Sequence, residues 1–212
     1  MRVLVTGAKG QLGYDVVKEL EKRGHKALGV DREEMDLTST QQIKDYIKNS
    51  NPEAIIHCGA YTLVDKAEEE KELCKRVNAT STKEIAKCSK ELDIPMIYIS
   101  TDYVFDGTKD GEYTEDDLPN PINVYGKTKY EGEVYVQEIL EKYYIVRISW
   151  VFGENGNNFV DTMLRLSKEI KSLSVINDQV GSPTYTKDLA RLLVDMLNTN
   201  KYGIYHVTNE GY

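Results

Sequence analysis

Short runs rich in β-branched residues alternate with longer stretches whose apolar residues recur every three or four positions, and this alternation most constrains the fold. The short runs predict strands at Arg2–Thr6, Lys26–Val30, Ala54–His57, Met96–Ser100, Tyr144–Ile148, Ser174–Ile176 and Ile204–Val207. The longer stretches predict helices at Gln11–Arg23, Ser39–Asn49, Ala67–Leu92 with a break near Asn78, Tyr125–Leu140, Asn158–Ile170 and Thr186–Asn198. The polar stretch Asp106–Asn123, punctuated by glycine and proline, predicts a loop. Strands alternating with helices build right-handed crossovers, so the expected fold is α/β: a doubly wound parallel sheet with helices on both faces. A chain of 212 residues that is 40% hydrophobic sustains one sizeable core, and no repeat or linker divides it.

Gly7, Gly10 and Gly13 fall between the first strand and the first helix. Glycines there allow a tight turn and a close approach of backbone to a pyrophosphate, while the helix N-terminus offers N–H groups and a positive dipole. Such a string alone also fits an ordinary turn. Its placement after the first strand, with Asp31 ending the second, points to a dinucleotide-binding turn, Gly7-Ala8-Lys9-Gly10-Gln11-Leu12-Gly13. Asp31 can accept hydrogen bonds from ribose hydroxyls, whereas Arg32 can pair with a 2′-phosphate, so NADH and NADPH both remain open. Asp36 and Leu37 begin a loop suited to cover an adenine.

Tyr125 and Lys129 stand four residues apart on one helix face. A phenol with a pKa near 10 is a weak acid–base catalyst at neutral pH, and a neighbouring ammonium pulls that value down. Such a tyrosine can give its proton to a carbonyl oxygen as hydride reaches the carbon. Tyr14 and Lys18 share the spacing, but they lie inside the first helix, where packing or solvent is the simpler role. Tyr125 instead opens a helix after the strand ending Ser100-Thr101-Asp102-Tyr103, at the sheet edge where ligands bind in such folds, and Ser100 or Thr101 can add a hydroxyl.

With these pieces the chain resembles the extended short-chain dehydrogenase/reductase superfamily and, within it, the dTDP-4-dehydrorhamnose reductase family. The strings that carry the resemblance begin with Val5-Thr6-Gly7 and the glycine turn, Ala60-Tyr61-Thr62-Leu63-Val64-Asp65-Lys66-Ala67-Glu68, and Ser100-Thr101-Asp102-Tyr103-Val104-Phe105-Asp106-Gly107. They continue with Asn123-Val124-Tyr125-Gly126-Lys127-Thr128-Lys129, Arg147-Ile148-Ser149-Trp150-Val151, Gly156-Asn157-Asn158-Phe159 and Asp178-Gln179-Val180-Gly181-Ser182-Pro183-Thr184. The resemblance implies a catalytic trio of Thr101, Tyr125 and Lys129. It implies a cofactor lining of Gly10, Gln11, Leu12, Asp31, Asp36, Leu37, Ala60, Tyr61 and Thr62, and a sugar site of Val64, Thr101, Asp102 and Trp150. Related nucleotide-sugar dehydratases carry Asp-Glu where this chain has Asp102-Tyr103, and a phenol cannot replace that carboxylate in an elimination. The implied reaction is therefore reduction of the 4-keto group of a dTDP-sugar, dTDP-4-dehydro-L-rhamnose, by NADPH or NADH.

Two rival readings stand beside it: a non-catalytic NAD(P)-binding subunit, similar to the regulatory subunit of methionine adenosyltransferase, and a reductase or epimerase of another nucleotide sugar. His57, ending a strand, and Asn78, at a superfamily kink, read as structural positions. Glu68-Glu69-Glu70 reads as a solvated face; Mg2+ has been associated with the family, but no clear ligand set is visible. The net charge of -8 argues against nucleic acid and anionic membranes as partners. Three scattered cysteines, an apolar N-terminal run too short for a signal peptide and no stretch of membrane-spanning length predict a reducing cytoplasm. The family continues into a C-terminal lobe for the nucleotide of the substrate. The expectation is thus a single NAD(P)-binding domain over residues 1–212 with that lobe largely absent after Tyr212, its uncovered core favouring a homodimer.

Overall fold

The structure, a computed structural model, describes residues 1–211. Its elements run β1 (Arg2–Thr6), α1 (Gln11–Lys22), β2 (Lys26–Val30), α2 (Thr40–Ser50) and β3 (Ala54–His57). Two short helices follow, α3 (Val64–Ala67) and α4 (Lys71–Lys75), then a π-helical turn (Arg76–Thr80) and α5 (Ser81–Glu91). Next come β4 (Met96–Thr101), a 3-10 turn (Asp102–Val104), α6 (Val124–Ile139), β5 (Tyr143–Ile148) and β6 (Val151–Phe152). The last elements are α7 (Phe159–Glu169), β7 (Thr184–Tyr185), α8 (Thr186–Met196) and β8 (Gly203–His206).

Six strands form one parallel sheet in the order β2-β1-β3-β4-β5-β8. Strand alternation sends side chains to two separate cores. On one face Val3, Val5, Ile56, Ile97 and Val146 pack against Leu12, Val16 and Leu20 of α1 and Leu189 and Leu193 of α8. On the other, Leu4, Ile55, Met96, Tyr98 and Ile145 pack against Ile43 and Ile47 of α2, Ile85 of α5 and Val136 of α6. Each such side chain is worth about 1.5–3 kcal/mol when fully buried, so the two apolar layers hold the helices to the sheet. Local signals set the boundaries. Ser39 caps α2 by accepting from Gln42 N, and Asn51 ends it in the left-handed region at φ 44.

The strand expected at Ser174–Ile176 does not form: the stretch is irregular, and Val175 and Ile176 are exposed. β-branched residues make a strand only where a neighbour completes the ladder, and among the described residues no strand pairs with this segment. The parallel pairing instead joins Val151–Phe152 to Thr184–Tyr185. The helical region expected over Ala67–Leu92 with a break near Asn78 forms as α4, the π turn that contains Asn78 and α5 in unbroken succession, with a separate interruption at Glu68–Glu70 after α3. Among the described residues no helix is long and apolar enough to cross a membrane.

Candidate active site at the switch of the sheet

The chain leaves β1 toward β2 on one side and returns across β1 to β3 on the other, so the loops after β1 and β3 diverge and leave a crevice at the carboxyl ends of the strands. A cleft of about 860 Å³ occupies that crevice. It gathers every residue singled out in the sequence for cofactor, sugar and catalysis, from Gly7 to Trp150.

At one end lies the glycine turn. Gly7 has φ +65, and a Cβ there would stand 2.8 Å from Gly59 Cα, so the two loops meet backbone to backbone. A Cβ on Gly13 would overlap the Gly7 carbonyl oxygen, which fixes the entry of α1 against the turn. Gly10 caps α1 without any side-chain hydrogen bond, leaving the first helical N–H groups available to an anion. Gln11 Oε1 is buried and has no partner in the protein. Uncapped donors, absent Cβ atoms and an orphaned carboxamide oxygen together fit a dinucleotide. Asp31 Oδ2 accepts from Lys9 N at 2.6 Å, tying the end of β2 to the turn, while Arg32 is exposed and pairs loosely with Asp36 at 3.7 Å. Hydrogen bonds from Thr38, with Arg32 a smaller influence, hold the Asp36 carboxyl below its ordinary range.

The reactive end is built by β4 and α6. Thr101 Oγ1 donates to Asp102 Oδ1 at 2.9 Å and accepts from Tyr103 N at 3.2 Å. Asn123 caps α6 by accepting from Gly126 N, which places Tyr125 in the first turn with its ring edge-to-face on Tyr103, centroids 5.6 Å apart. Of the two hydroxyls considered at the end of β4, Ser100 is not available: it donates to Glu133, whose carboxylate is paired with Arg147 at 2.7 Å. That pair is almost wholly enclosed, with side chains 0% and 3% exposed, and it fills the space beneath the site. Ser100 and Thr101 both border the cleft, but the Ser100 hydroxyl is committed to this buried pair, whereas that of Thr101 bonds to its neighbours Asp102 and Tyr103.

The electrostatics differ from the sequence expectation. Burial raises the Tyr125 phenol above its ordinary pKa, and hydrogen bonding with Thr101 only partly offsets this. Lys129 is tied to β4. Its Nζ donates to Ile99 O at 2.7 Å and lies 4.2 Å over the Tyr98 ring. Burial brings its pKa down to about 7 against the opposing charge of Glu133. The phenol is thus held protonated, the state a proton donor requires. Asp102, accessible yet crowded by protein, is raised by the same desolvation. Trp150 adopts φ 44, is 46% exposed, and packs its ring beside Gly181. A tryptophan in the left-handed region is strained, and its setting at the open end of the cleft suits a ligand contact better than core packing.

The internal counterpart, Tyr14 and Lys18, forms only a surface contact, Lys18 Nζ lying 4.1 Å over the Tyr14 ring. Sequence reasoning missed Asn155, whose Nδ2 donates to Lys9 O and Gly10 O and so latches the loop after β6 onto the glycine turn. The run Glu154-Asn155-Gly156-Asn157 was its signal, since adjacent Asn and Gly mark a turn able to reach backbone. Among the described residues no group of three or more His, Cys, Asp or Glu side chains converges as a metal site.

Residues 1–212 match the family described as RmlD substrate binding domain. A dTDP-4-dehydrorhamnose reductase of Aggregatibacter actinomycetemcomitans is 43% identical over 99% of this chain and 74% of its own length. Spore coat polysaccharide biosynthesis protein SpsK of Bacillus subtilis is 37% identical over 99% of this chain and 74% of its own. A solved structure of dTDP-4-dehydrorhamnose reductase from Bacillus anthracis in complex with NADP superposes with a TM-score of 0.96 at 45% identity, covering 99% of this chain and 75% of that one. The chain therefore belongs to the RmlD substrate binding domain family, together with these dTDP-4-dehydrorhamnose reductases.

Proposed function

We propose that this chain carries out the NADPH-dependent reduction of the 4-keto group of dTDP-4-dehydro-L-rhamnose to dTDP-L-rhamnose. The observation that carries the reading is the convergence of Thr101, Tyr125 and Lys129 on one cleft with the uncapped glycine turn, in a chain of this family. When bound, the reduced nicotinamide supplies a hydride. Tyr125, whose buried phenol is protonated at neutral pH, gives that proton to the carbonyl oxygen. Thr101, whose hydroxyl now donates to Asp102, turns that hydrogen to the same oxygen and orients it. Lys129, near its own pKa at neutral pH, anchors the floor of the site one helical turn from Tyr125 and can change its proton occupancy during turnover. Gln11, Asp31, Arg32, Asp36, Leu37 and the Ala60–Thr62 strap hold the dinucleotide, and Val64, Asp102 and Trp150 face the sugar. Because Asp31 is already engaged by Lys9 N while Arg32 is exposed, the site favours the 2′-phosphate of NADPH. Residues 1–212 constitute the cofactor-binding domain; cytoplasmic placement and pairing as a homodimer belong to the same proposal.

The test is to supply the chain with NADPD labelled at the transferable position and the dTDP-4-keto sugar, then to examine the product by NMR. Deuterium at C4 of dTDP-rhamnose is the expected result. Tight NADPH binding with no consumption of any dTDP-4-keto sugar would instead support a non-catalytic cofactor-binding subunit.

A further inference from the structure

His57 ends β3 inside the protein, 1% exposed, and takes no part in the chemistry above. Each ring nitrogen is engaged: Nδ1 with Thr6 Oγ1 at 2.6 Å and Nε2 with Thr82 Oγ1 at 3.1 Å. The hydrogens along this chain can be assigned by counting donors. Thr82 gives its only hydrogen to Asn78 O at 2.7 Å, so toward His57 it can only accept, and Nε2 must carry a hydrogen. Burial, with the Lys129 charge second, lowers the ring's pKa to about 3, so the imidazole is neutral and Nδ1 is bare. Nδ1 then accepts from the Thr6 hydroxyl, whose oxygen accepts in turn from Gly59 N at 2.9 Å.

The relay therefore runs in one direction, from Gly59 N–H through Thr6, His57 and Thr82 to the Asn78 carbonyl. It joins both loops that form the cofactor cleft to the π turn that carries Asn78. Thr6 immediately precedes Gly7 of the glycine turn, and Gly59 opens the strap that continues through Thr62. Asn78 grips the same strap a second time, its Oδ1 accepting from Tyr61 N at 2.8 Å and its Nδ2 donating to Tyr61 O at 3.1 Å. Between the two loops there is no side chain to act as a spacer, because Gly7 and Gly59 meet backbone to backbone. Beyond that backbone contact and the pairing of Thr6 with His57 in the sheet, the side-chain bond that ties the two loops together is the Thr6 hydroxyl, which His57 Nδ1 orients.

We propose that His57 is a positioning residue for the cofactor: as a neutral imidazole protonated on Nε2, it fixes the spacing between the glycine turn and the Gly59–Thr62 strap. This inference rests on the reading that the cleft holds a nicotinamide dinucleotide. The simpler role for a ring stacked on Tyr98 at 5.7 Å is to fill space, and the two roles rank substitutions in opposite orders. His57→Asn keeps an acceptor where Nδ1 stood but leaves a void; His57→Leu fills the volume but offers no acceptor. Positioning predicts that Asn holds NADPH within about threefold of the native affinity, while Leu weakens it by about tenfold or more, as expected for a stranded buried hydroxyl. The loss falls on KM for NADPH rather than on kcat. Space filling predicts the reverse ranking, and Leu binding as well as Asn overturns the proposal.

Isothermal titration of the whole chain with NADPH reads the affinities, and nitrogen NMR of labelled histidine reads the tautomer, where a ring protonated on Nδ1 overturns the assignment. Should His57→Leu fail to fold, Thr82→Val and Thr82→Ser test the relay from a buried position outside the cleft. Val weakens NADPH and Ser restores it; equal affinities overturn the proposal. A native chain that binds no NADPH overturns the cofactor reading itself, and so is distinguishable from native binding that the variants leave unchanged.

Discussion

Helices α7 and α8 have equal length, 11 residues, and each gathers its apolar side chains on one face. Their fates differ. In α8, Leu189, Ala190, Leu193, Val194 and Met196 are buried against the sheet and α1, and Thr186 Oγ1 donates to the enclosed carboxylate of Asp15 at 2.6 Å. In α7 nothing is buried, and Phe159 and Leu164 are 62% and 60% exposed. Amphipathic spacing thus makes a helix capable of docking, but the dock has to come from elsewhere in the molecule. For α8 the sheet and α1 supply it. The segment after α7 adds further exposed apolar residues, Val175, Ile176 and Val180, so the unsheltered region is continuous in sequence while the cofactor half is covered on both faces.

If the covered half holds both the chemistry and the stability, substitutions on the two sides must separate sharply. Tyr125→Phe is the largest expected effect: turnover falls by about 10²–10⁴-fold, the contribution of a positioned acid, while NADPH affinity stays near native. Single-turnover kinetics and cofactor titration check this, and a variant keeping most of its turnover breaks the mechanism. Leu193→Ala, with its side chain fully buried, should lower the unfolding free energy by about 2–5 kcal/mol in urea titrations.

A third effect depends on pH. Lys129 has a folded pKa of about 7, below its unfolded value, so between these values the unfolded chain binds more protons than the folded one. Stability should therefore rise with pH through that window, the cost of the buried ammonium being fully present below it. Unfolding midpoints measured from about pH 6.5 to 9.5 should climb for the native chain relative to Lys129→Met, and parallel profiles would contradict the desolvation argument. The smallest change belongs to the exposed side. Leu164→Ala should stay within about 0.5 kcal/mol, and a core-sized loss there would show that α7 is covered in solution.

The same contrast explains what the sequence could tell. Val3-Leu4-Val5 and Ile55-Ile56 read as strands because residues buried on both faces of a parallel sheet are apolar without interruption. The glycine turn and the Tyr125–Lys129 spacing were visible because both are local. Val175 and Ile176 look no less strand-like than Ile55 and Ile56, and only the absence of a neighbouring strand distinguishes them. The withdrawal of Ser100 from the cleft was hidden for a related reason. It depends on Glu133 and Arg147 meeting it across 33 and 47 positions of chain, a register no local pattern encodes. The Tyr125–Lys129 spacing shows that the two side chains share a face, not where each one ends: Lys129 Nζ ends on the Ile99 carbonyl.

The π-helical turn at Arg76–Thr80 has a consequence for how this chain can vary. A π turn holds one residue more than an α turn, so losing a single residue there would restore regular winding and leave the following helix facing nearly the same way, at the expense of the local bulge. Ile85 and Ala86 would keep to the sheet, but Asn78, inside the turn, would release the Tyr61 backbone. Tolerance of length changes is thus expected in the exposed stretch after α7 and refused in this turn, so here spacing, beyond residue identity, is part of what the site needs.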